Sequence, residues 1–223
     1  MTADSFFQRH SKLTRSLKKF VLDFQQQLPE DTFAAFLVNL DEELQKYSQQ
    51  LLLAPAGPAR ARLLQSLVDQ EINSEKEIQV SCTKGCSACC HMEVEVTSYE
   101  ADILHKLVTD GHAIDRERLK QQSQRKLQDP LWFQGPKKSP ESRCVFLNDE
   151  GACSIYENRP VMCRRHSVTT PAKNCEDLNE KITVRYFPRV DLLISAANED
   201  LNVQVGPLAK MLQMKLHEEI DFI

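Results

Sequence analysis

The sequence contains few glycines, six in 223 residues. Loops that wrap around phosphate groups need several glycines close together, so this scarcity argues against a glycine-rich nucleotide-binding loop. It favours helices that are joined by irregular segments. The sequence also contains no internal repeat and no low-complexity segment.

Long apolar runs are absent as well. No stretch of about 18 apolar residues occurs, so we expect no segment that spans a membrane. The first 19 residues mix charged and apolar side chains and lack the uninterrupted apolar block of a secretory signal. We therefore expect a cytoplasmic protein, because thiols stay reduced in that compartment.

Positive charge does not predominate either. The 28 lysines and arginines are outnumbered by 32 aspartates and glutamates, which gives a formal net charge of −4. Thiolates would make the surface more negative still. Such a surface disfavours binding to a nucleic-acid backbone, so we expect no nucleic-acid partner. A protein partner stays open, and the sequence does not predict an oligomeric state.

Cysteine, in contrast, is concentrated in one part of the chain. Four of the eight cysteines fall within the nine residues 82–90. The full set is Cys82, Cys86, Cys89, Cys90, Cys144, Cys153, Cys163 and Cys175. Four thiolates around one ion form a closed zinc site, and the same ligands hold iron–sulfur clusters. We therefore predict that all eight bind metal, either zinc or iron. Disulfides are the alternative if the chain is exported.

The spacing of the first four cysteines suits a metal-binding loop. Three of them follow a C-x3-C-x2-C pattern, and Gly85 permits the tight backbone turn that points their sulfurs inward. In an extended segment the adjacent Cys89 and Cys90 point in opposite directions. Either the backbone is sharply bent there, or each cysteine serves a different metal. Eight cysteines divide into two sites of four or form one cluster with shared thiolates, so we predict more than one metal atom.

Cations and imidazoles lie beside the cysteines in the sequence. Positive charge near sulfur stabilises the thiolate and tunes the metal. The neighbouring basic residues are Lys84, Arg143, Arg159, Arg164 and Arg165. His91 and His166 could each replace a thiol as a ligand, although eight cysteines leave little need for them.

Five motifs surround the cysteines. They are Cys82-x3-Cys86-x2-Cys89-Cys90, Val94-x-Val-Thr-x-x-Glu100, Cys144-Val-Phe-Leu, Gly151-x-Cys153-Ser-Ile-Tyr156 and Arg159-Pro160-x-x-Cys163-Arg164. Together they resemble the YkgJ-type CxxCxxCC cysteine-cluster family, which is described as a zinc- or iron-chelating domain. The resemblance covers roughly residues 81–176 and implies metal chelation. The first spacing has one residue more than the family's usual C-x2-C-x2-C-C.

The first hypothesis is a non-catalytic metal-binding protein with a structural, metal-handling or partner-binding role. Two alternatives to it stay open. One is an iron–sulfur protein in electron transfer or metal-assisted catalysis. The other comes from the flagellin lysine N-methylases, which are similar in the cysteine motif and imply protein modification. Radical S-adenosylmethionine enzymes share the C-x3-C-x2-C spacing, but too few strands follow it here to build their barrel. Whether the protein is an enzyme stays undecided, and no catalytic residue is predicted.

The hydrophobic pattern predicts a mainly helical α+β protein with short strands. Helices are predicted over residues 5–28, 30–51, 59–76, 98–110, 115–128, 189–199 and 207–220. Thr97 and Glu100 have the spacing of a capping box that starts one of them. Strands are predicted at 92–96 and 182–187, with a small hairpin at 144–156.

These elements suggest three regions along the chain. Residues 1–78 form an N-terminal helical region, and residues 79–180 form a small, irregular cysteine-cluster module. Residues 181–223 supply a C-terminal strand and helices that pack on the rest. We expect little apolar core in the module. Bound metal would then supply much of its folding free energy, on the order of 10 kcal/mol per structural zinc site in peptide models.

Overall fold

The computed structural model describes residues 1–75, 78–83, 85–132, 138–177 and 179–218. Over these ranges the chain is mainly helical with one small sheet, which confirms the predicted α+β class. The chain divides into two compact units, Met1–Ser74 with Phe187–Gln204 and Glu75–Tyr186 with Val205–Ile223. Within the described residues, no helix is both long enough and apolar enough to cross a membrane. The three-region division of the chain stays a prediction.

The elements follow one another in a simple order. The helices are α1 (Ala3–Arg9), α2 (Arg15–Gln27), α3 (Glu30–Leu52), α4 (Pro58–Ser74), α5 (Ser98–Thr109), α6 (Arg116–Ser123), α7 (Val161–Arg165), α8 (Pro188–Asn198) and α9 (Leu208–Glu218). The strands are β1 (Glu95–Thr97) and β2 (Val205–Pro207). They pair antiparallel, with Val96 opposite Gly206.

The first unit consists of α1 to α4 together with α8. The apolar residues of α3 recur at helical spacing and form a buried stripe, and α8 packs against both α3 and α4. Pro29 separates α2 from α3, as predicted, because proline fixes its own backbone and lacks the N–H that a continuous helix would need.

The prediction of one helix over residues 5–28 is wrong, because α1 ends at Arg9 and α2 begins at Arg15. The hydroxyl of Thr14 accepts a hydrogen bond from the N–H of Leu17 at 3.2 Å and so caps α2. The same hydroxyl donates to Asp191 at 2.8 Å. A capping hydroxyl that is also anchored to α8 favours a new helix start over continuation.

The second unit has a hydrophobic core of its own. Helices α5 and α6 both pack against α9. The core includes Leu104, Leu119, Phe146 and Leu212, all at most 2% exposed. The expectation of little apolar core in the cysteine module is therefore wrong for this unit. The physical reason is that α9, from the far end of the chain, contributes apolar side chains that the local sequence lacks.

The strands differ most from the sequence prediction. Strand β1 is shifted toward Thr97, and its partner β2 was not predicted. The strand predicted at 182–187 is wrong, since only an isolated bridge joins Val184 to Val168. The hairpin predicted at 144–156 is reduced to one bridge, between Leu147 and Cys153.

One helix end also differs. Helix α6 stops at Ser123 rather than near 128, and Gln128 has a φ of +61°, which a right-handed helix does not allow. The predicted end of the third helix at 76 and that of the last helix at 219–220 lie outside the described residues.

Candidate metal centre

The first four cysteines lie on a loop that ends in the 3₁₀ turn Ala88–His91. Gly85 has a φ of +93°, as expected for a tight turn that needs glycine. The 3₁₀ turn contains both Cys89 and Cys90, and the thiol of Cys90 is hydrogen-bonded to the sulfur of Cys89. The backbone at this pair is sharply bent, as one of the two predicted alternatives requires. Whether the two cysteines serve different metals stays a prediction.

Three more cysteines come from two later segments. Cys144 and Cys153 lie on either side of a turn that is closed by a 3.0 Å hydrogen bond from the N–H of Gly151 to the carbonyl oxygen of Asn148. Cys163 lies in α7, which begins directly after Pro160, as the sequence predicted. These segments meet the first loop, because the N–H of Cys144 donates to the carbonyl oxygen of Cys90 at 2.7 Å.

Seven of the eight cysteines line one cavity of about 250 Å³. They are Cys82, Cys86, Cys89, Cys90, Cys144, Cys153 and Cys163. All eight cysteines are half-buried, and none is in a disulfide. Cys175 is not among the lining residues, but its 3₁₀ turn, Ala172–Glu176, packs near Ala88–His91. The structure thus brings seven of the predicted ligands together and leaves one beside them.

The thiols surround a space rather than a point. Among the described residues, no group of three histidine, cysteine, aspartate or glutamate side chains is arranged to hold a metal ion. The donor set still suits a metal, because seven soft sulfur ligands share one cavity. That cavity far exceeds the roughly 10–15 Å³ that a single water molecule requires.

Cys89 interacts electrostatically with most of the other thiols. A charge on its sulfur contributes to raising the pKa of five other cysteines. These five are Cys82, Cys90, Cys144, Cys153 and Cys163. Cys89 is therefore the thiol that most of the others have in common.

Cys89 is the most acidic of the thiols whose pKa is shifted. The hydrogen bond from Cys90 lowers the pKa of Cys89 to about 7, while the same bond raises the pKa of Cys90. Burial raises the pKa of Cys144 to about 11, and it raises the pKa of Cys163 well above the ordinary 9.0. The thiolate is the form that binds metal. As the pH rises, Cys89 is therefore the first of these thiols to reach that form.

Backbone N–H groups point at three of the sulfurs. The N–H of Val168 donates to the sulfur of Cys82 at 3.4 Å. The N–H groups of Phe146 and Ile155 donate to Cys144 and Cys153, each two residues earlier. These bonds act against burial and lower the pKa of each thiol. Such donors favour the thiolate and hold a metal ligand in place.

Arg159 is the principal cation of the cavity wall. Its charge favours the thiolate form of four lining thiols. In Cys82, Cys153 and Cys163 it opposes burial, which raises the pKa, and in Cys89 it adds to the lowering of the pKa. The guanidinium lies 3.6 Å from the centre of the Tyr156 ring, and its Nε donates to the carbonyl oxygen of Tyr156 at 3.1 Å. Stacking and hydrogen bonding together fix the position of this charge.

The other predicted cations have different surroundings. Arg165 also lines the cavity. Arg143 donates instead to the carbonyl oxygen of Leu147 at 3.1 Å and so supports the turn between two cysteines. Arg164 donates to the carbonyl oxygen of Arg159 at 2.8 Å. Lys84 lies outside the described residues.

The two candidate histidines also differ. His166 lines the cavity, and burial lowers its pKa, so it is neutral and able to act as a ligand at neutral pH. His91 is buried beside the cavity residues, and its Nδ1–H donates to the carbonyl oxygen of Ser87 at 3.1 Å. A ligand role for either histidine stays a prediction.

One residue of the site has a second role that sequence reasoning missed. Glu100 completes the predicted capping box, since its Oε2 accepts hydrogen bonds from the N–H and the hydroxyl of Thr97, both at 3.0 Å. Its Oε1 accepts a further bond, at 2.8 Å, from the N–H of Val161 at the start of α7. The sequence signals the local cap, but nothing in it signals the distant partner.

Comparison with known families agrees with this site. Residues 81–185 match the model of the CxxCxxCC family, whose description is "Putative zinc- or iron-chelating domain". This match confirms the resemblance, and the matched segment contains all eight cysteines. The match covers slightly less than half of the chain and implies metal chelation. No curated protein and no solved structure matched the chain.

Proposed function

We propose that this protein binds more than one atom of zinc or iron through the seven thiols of its cavity. The observation that carries the proposal is the convergence of seven cysteines, from three segments, on one cavity of about 250 Å³. Free thiols that serve only as small apolar residues would have no reason to share a cavity. The family's zinc- or iron-chelating description supports the same conclusion.

Cys89 is the natural shared ligand of such a centre. Its sulfur lies in the same cavity as six other thiols and interacts electrostatically with five of them. Thiolates can be shared between neighbouring metal atoms. In this proposal Cys89 is such a shared ligand.

The surrounding residues prepare the thiols for metal. Three backbone N–H groups and the charge of Arg159 stabilise negative sulfur. Apolar side chains such as Phe146, Ile155 and Leu208 form part of the cavity wall and limit the access of water. In such surroundings the charge of Arg159 acts more strongly on the sulfurs than it would in bulk water.

Partial exposure favours a working centre over a purely structural one. Structural zinc sites are closed, with four ligands around one ion. Here every cysteine is half-buried, and the unit has its own apolar core. Metal handling therefore fits this site, and so does electron transfer by an iron–sulfur cluster.

Purification without air separates these two functions. Elemental analysis for zinc and iron, an assay for acid-labile sulfide and a visible spectrum are measured on one sample. Iron with sulfide and visible absorption supports the iron–sulfur function, and colourless protein with zinc supports zinc handling.

Trp132, the sole tryptophan, lines a cavity of about 20 Å³ together with Cys144. The fluorescence of Trp132 should therefore change when metal is removed. If elemental analysis finds neither zinc nor iron in the freshly purified protein, the proposal is wrong.

A further inference from the structure

Glu100 occupies an unusual position for a carboxylate. Its side chain lies in the core, with 1% of its surface exposed. Burial raises its pKa, while the N–H groups of Thr97 and Val161 act in the opposite direction. A buried carboxylate without such partners would be strongly unfavourable. The three hydrogen bonds that it accepts therefore explain how this side chain can lie there.

Helix α7 depends on a cap from elsewhere in the chain. It has only five residues, and its N-cap residue is Pro160, whose side chain provides no capping hydrogen bond. Helices this short are marginal by themselves. Glu100 accepts the N–H of Val161, the first residue of α7, and α7 also packs against β1. Cys163 lies two residues after Val161 and is carried by the same turn of helix.

We propose that Glu100 is a positioning residue of the metal centre, which holds the start of α7 so that Cys163 faces the cavity. The inference rests on the proposed function. Glu100 does not line the cavity, and its own oxygens bond to Thr97 and Val161, so it acts on the centre through α7, which carries Cys163. One carboxylate thereby fixes the strand that follows the first cysteine loop and the helix that carries the last thiol of the cavity.

The length of the side chain decides this role. Glu100→Asp keeps the charge and can still bond locally to Thr97, but it is one methylene shorter and cannot also reach Val161. Glu100→Gln keeps the length, and its amide oxygen can still accept the N–H of Val161. Thr97→Ala removes the capping hydroxyl and leaves the bond to Val161 unchanged. These three variants separate helix capping from the support of α7.

The test is anaerobic titration of the reduced, metal-free full chain with Co²⁺, a spectroscopic substitute for zinc. Thiolate-to-cobalt charge-transfer absorption reports how many sulfurs bind. Loss of the partner that orients a ligand typically weakens metal binding by about 10–100-fold. We expect a loss of this size, with weaker charge-transfer absorption, for Glu100→Asp. We expect Glu100→Gln to restore most of the affinity, and Thr97→Ala to melt earlier but to bind Co²⁺ like wild type.

A double variant tests whether Glu100 acts through Cys163. In the Cys163→Ser background, Glu100→Asp should cause no further loss of affinity. The inference is wrong if Glu100→Asp binds Co²⁺ like wild type, if Thr97→Ala loses as much, or if both effects multiply in the double variant. Circular dichroism confirms that each variant is folded. If the wild-type chain itself binds neither Co²⁺ nor Zn²⁺, the proposed function fails instead.

Discussion

The N–H of Cys144 donates a hydrogen bond to the carbonyl oxygen of Cys90 at 2.7 Å. This bond joins the two halves of the cysteine set, which are far apart in the sequence. It places the backbone of the segment that carries Cys144 and Cys153 directly against the bent turn that carries Cys89 and Cys90. This contact between the two segments is a bond between backbone groups and involves no cysteine sulfur.

Replacement of the central thiols should remove metal. We expect Cys89→Ser and Cys90→Ser each to lose metal and to lower the melting temperature, because serine is a poor ligand for a soft metal and both thiols line the cavity. Metal per chain and thermal unfolding are measured on protein purified without air. Cys175→Ser is the matched control, since Cys175 lies outside the cavity lining and should leave the metal content near wild type. Full metal content in Cys89→Ser would show that this thiol is not a ligand.

The charge of Arg159 should strengthen metal binding. Its guanidinium favours the thiolate form of four lining thiols, so Arg159→Gln should raise the pKa of each and weaken Zn²⁺ binding at neutral pH by about tenfold. Arg159→Lys keeps the charge and should lose less. Competition with a chromophoric chelator measures the affinities. Arg116→Gln, on an exposed position of α6, is the control. Equal Zn²⁺ affinities in the wild type and all three variants would show that Arg159 does not contribute to metal binding.

The reactivity of the metal-free thiols should depend on pH in a specific way. Because the pKa of Cys89 is lowered to about 7, its alkylation rate should rise as the pH increases through 7. The pKa of Cys144 is about 11, so this cysteine should react slowly over the same range. Mass spectrometry after brief iodoacetamide treatment locates the label. Cys90→Ala removes the donor and should shift the midpoint of Cys89 upward; an unchanged midpoint would contradict the hydrogen bond.

The first unit should lose stability as the pH rises. His10 is buried, with Nδ1 2.8 Å from Glu199 and Nε2 2.7 Å from Asp41. Burial favours the neutral ring, but the two carboxylates outweigh it and raise the pKa of His10 above 6.5. The folded state therefore keeps a proton that the unfolded state releases. The stabilisation is complete below pH 6.5 and is lost as the pH rises through the raised value.

The substitution that tests this pH dependence is His10→Ala. It leaves Asp41 and Glu199 without their shared partner, so the free energy of unfolding should fall by about 1–3 kcal/mol near pH 6. The difference from wild type should shrink as the pH rises. Urea unfolding followed by circular dichroism at several pH values measures it. A difference that is constant from pH 5 to 9 would show that His10 is not charged in the fold.

Local signals in the sequence predicted several parts of this molecule correctly. The capping box of Thr97 and Glu100, the left-handed Gly85 and the helical turn after Pro160 each depend on neighbouring residues alone. The choice of the cysteines as candidate ligands also came from the sequence, because cysteine chemistry does not depend on the fold; that they bind metal stays a prediction. Local propensity was therefore sufficient wherever the cause was local.

Distant contacts set the limits of the prediction. Helix α9 completes the core of the second unit, and β2 pairs with β1 across more than a hundred residues. Thr14 breaks a helix whose apolar pattern continues through it, partly because Asp191 anchors its hydroxyl. The bond from Val161 to Glu100 is of the same kind. Sequence spacing carries no information on such partners, so neither the cavity nor its support was predicted.

Native mass spectrometry of the protein, isolated and sprayed without exposure to air, counts the metal atoms on each intact chain and so shows whether the cavity binds more than one. We expect at least two zinc or iron atoms per chain for wild type and fewer for Cys89→Ser. A wild-type chain that carries a single metal atom, or none, would contradict this expectation.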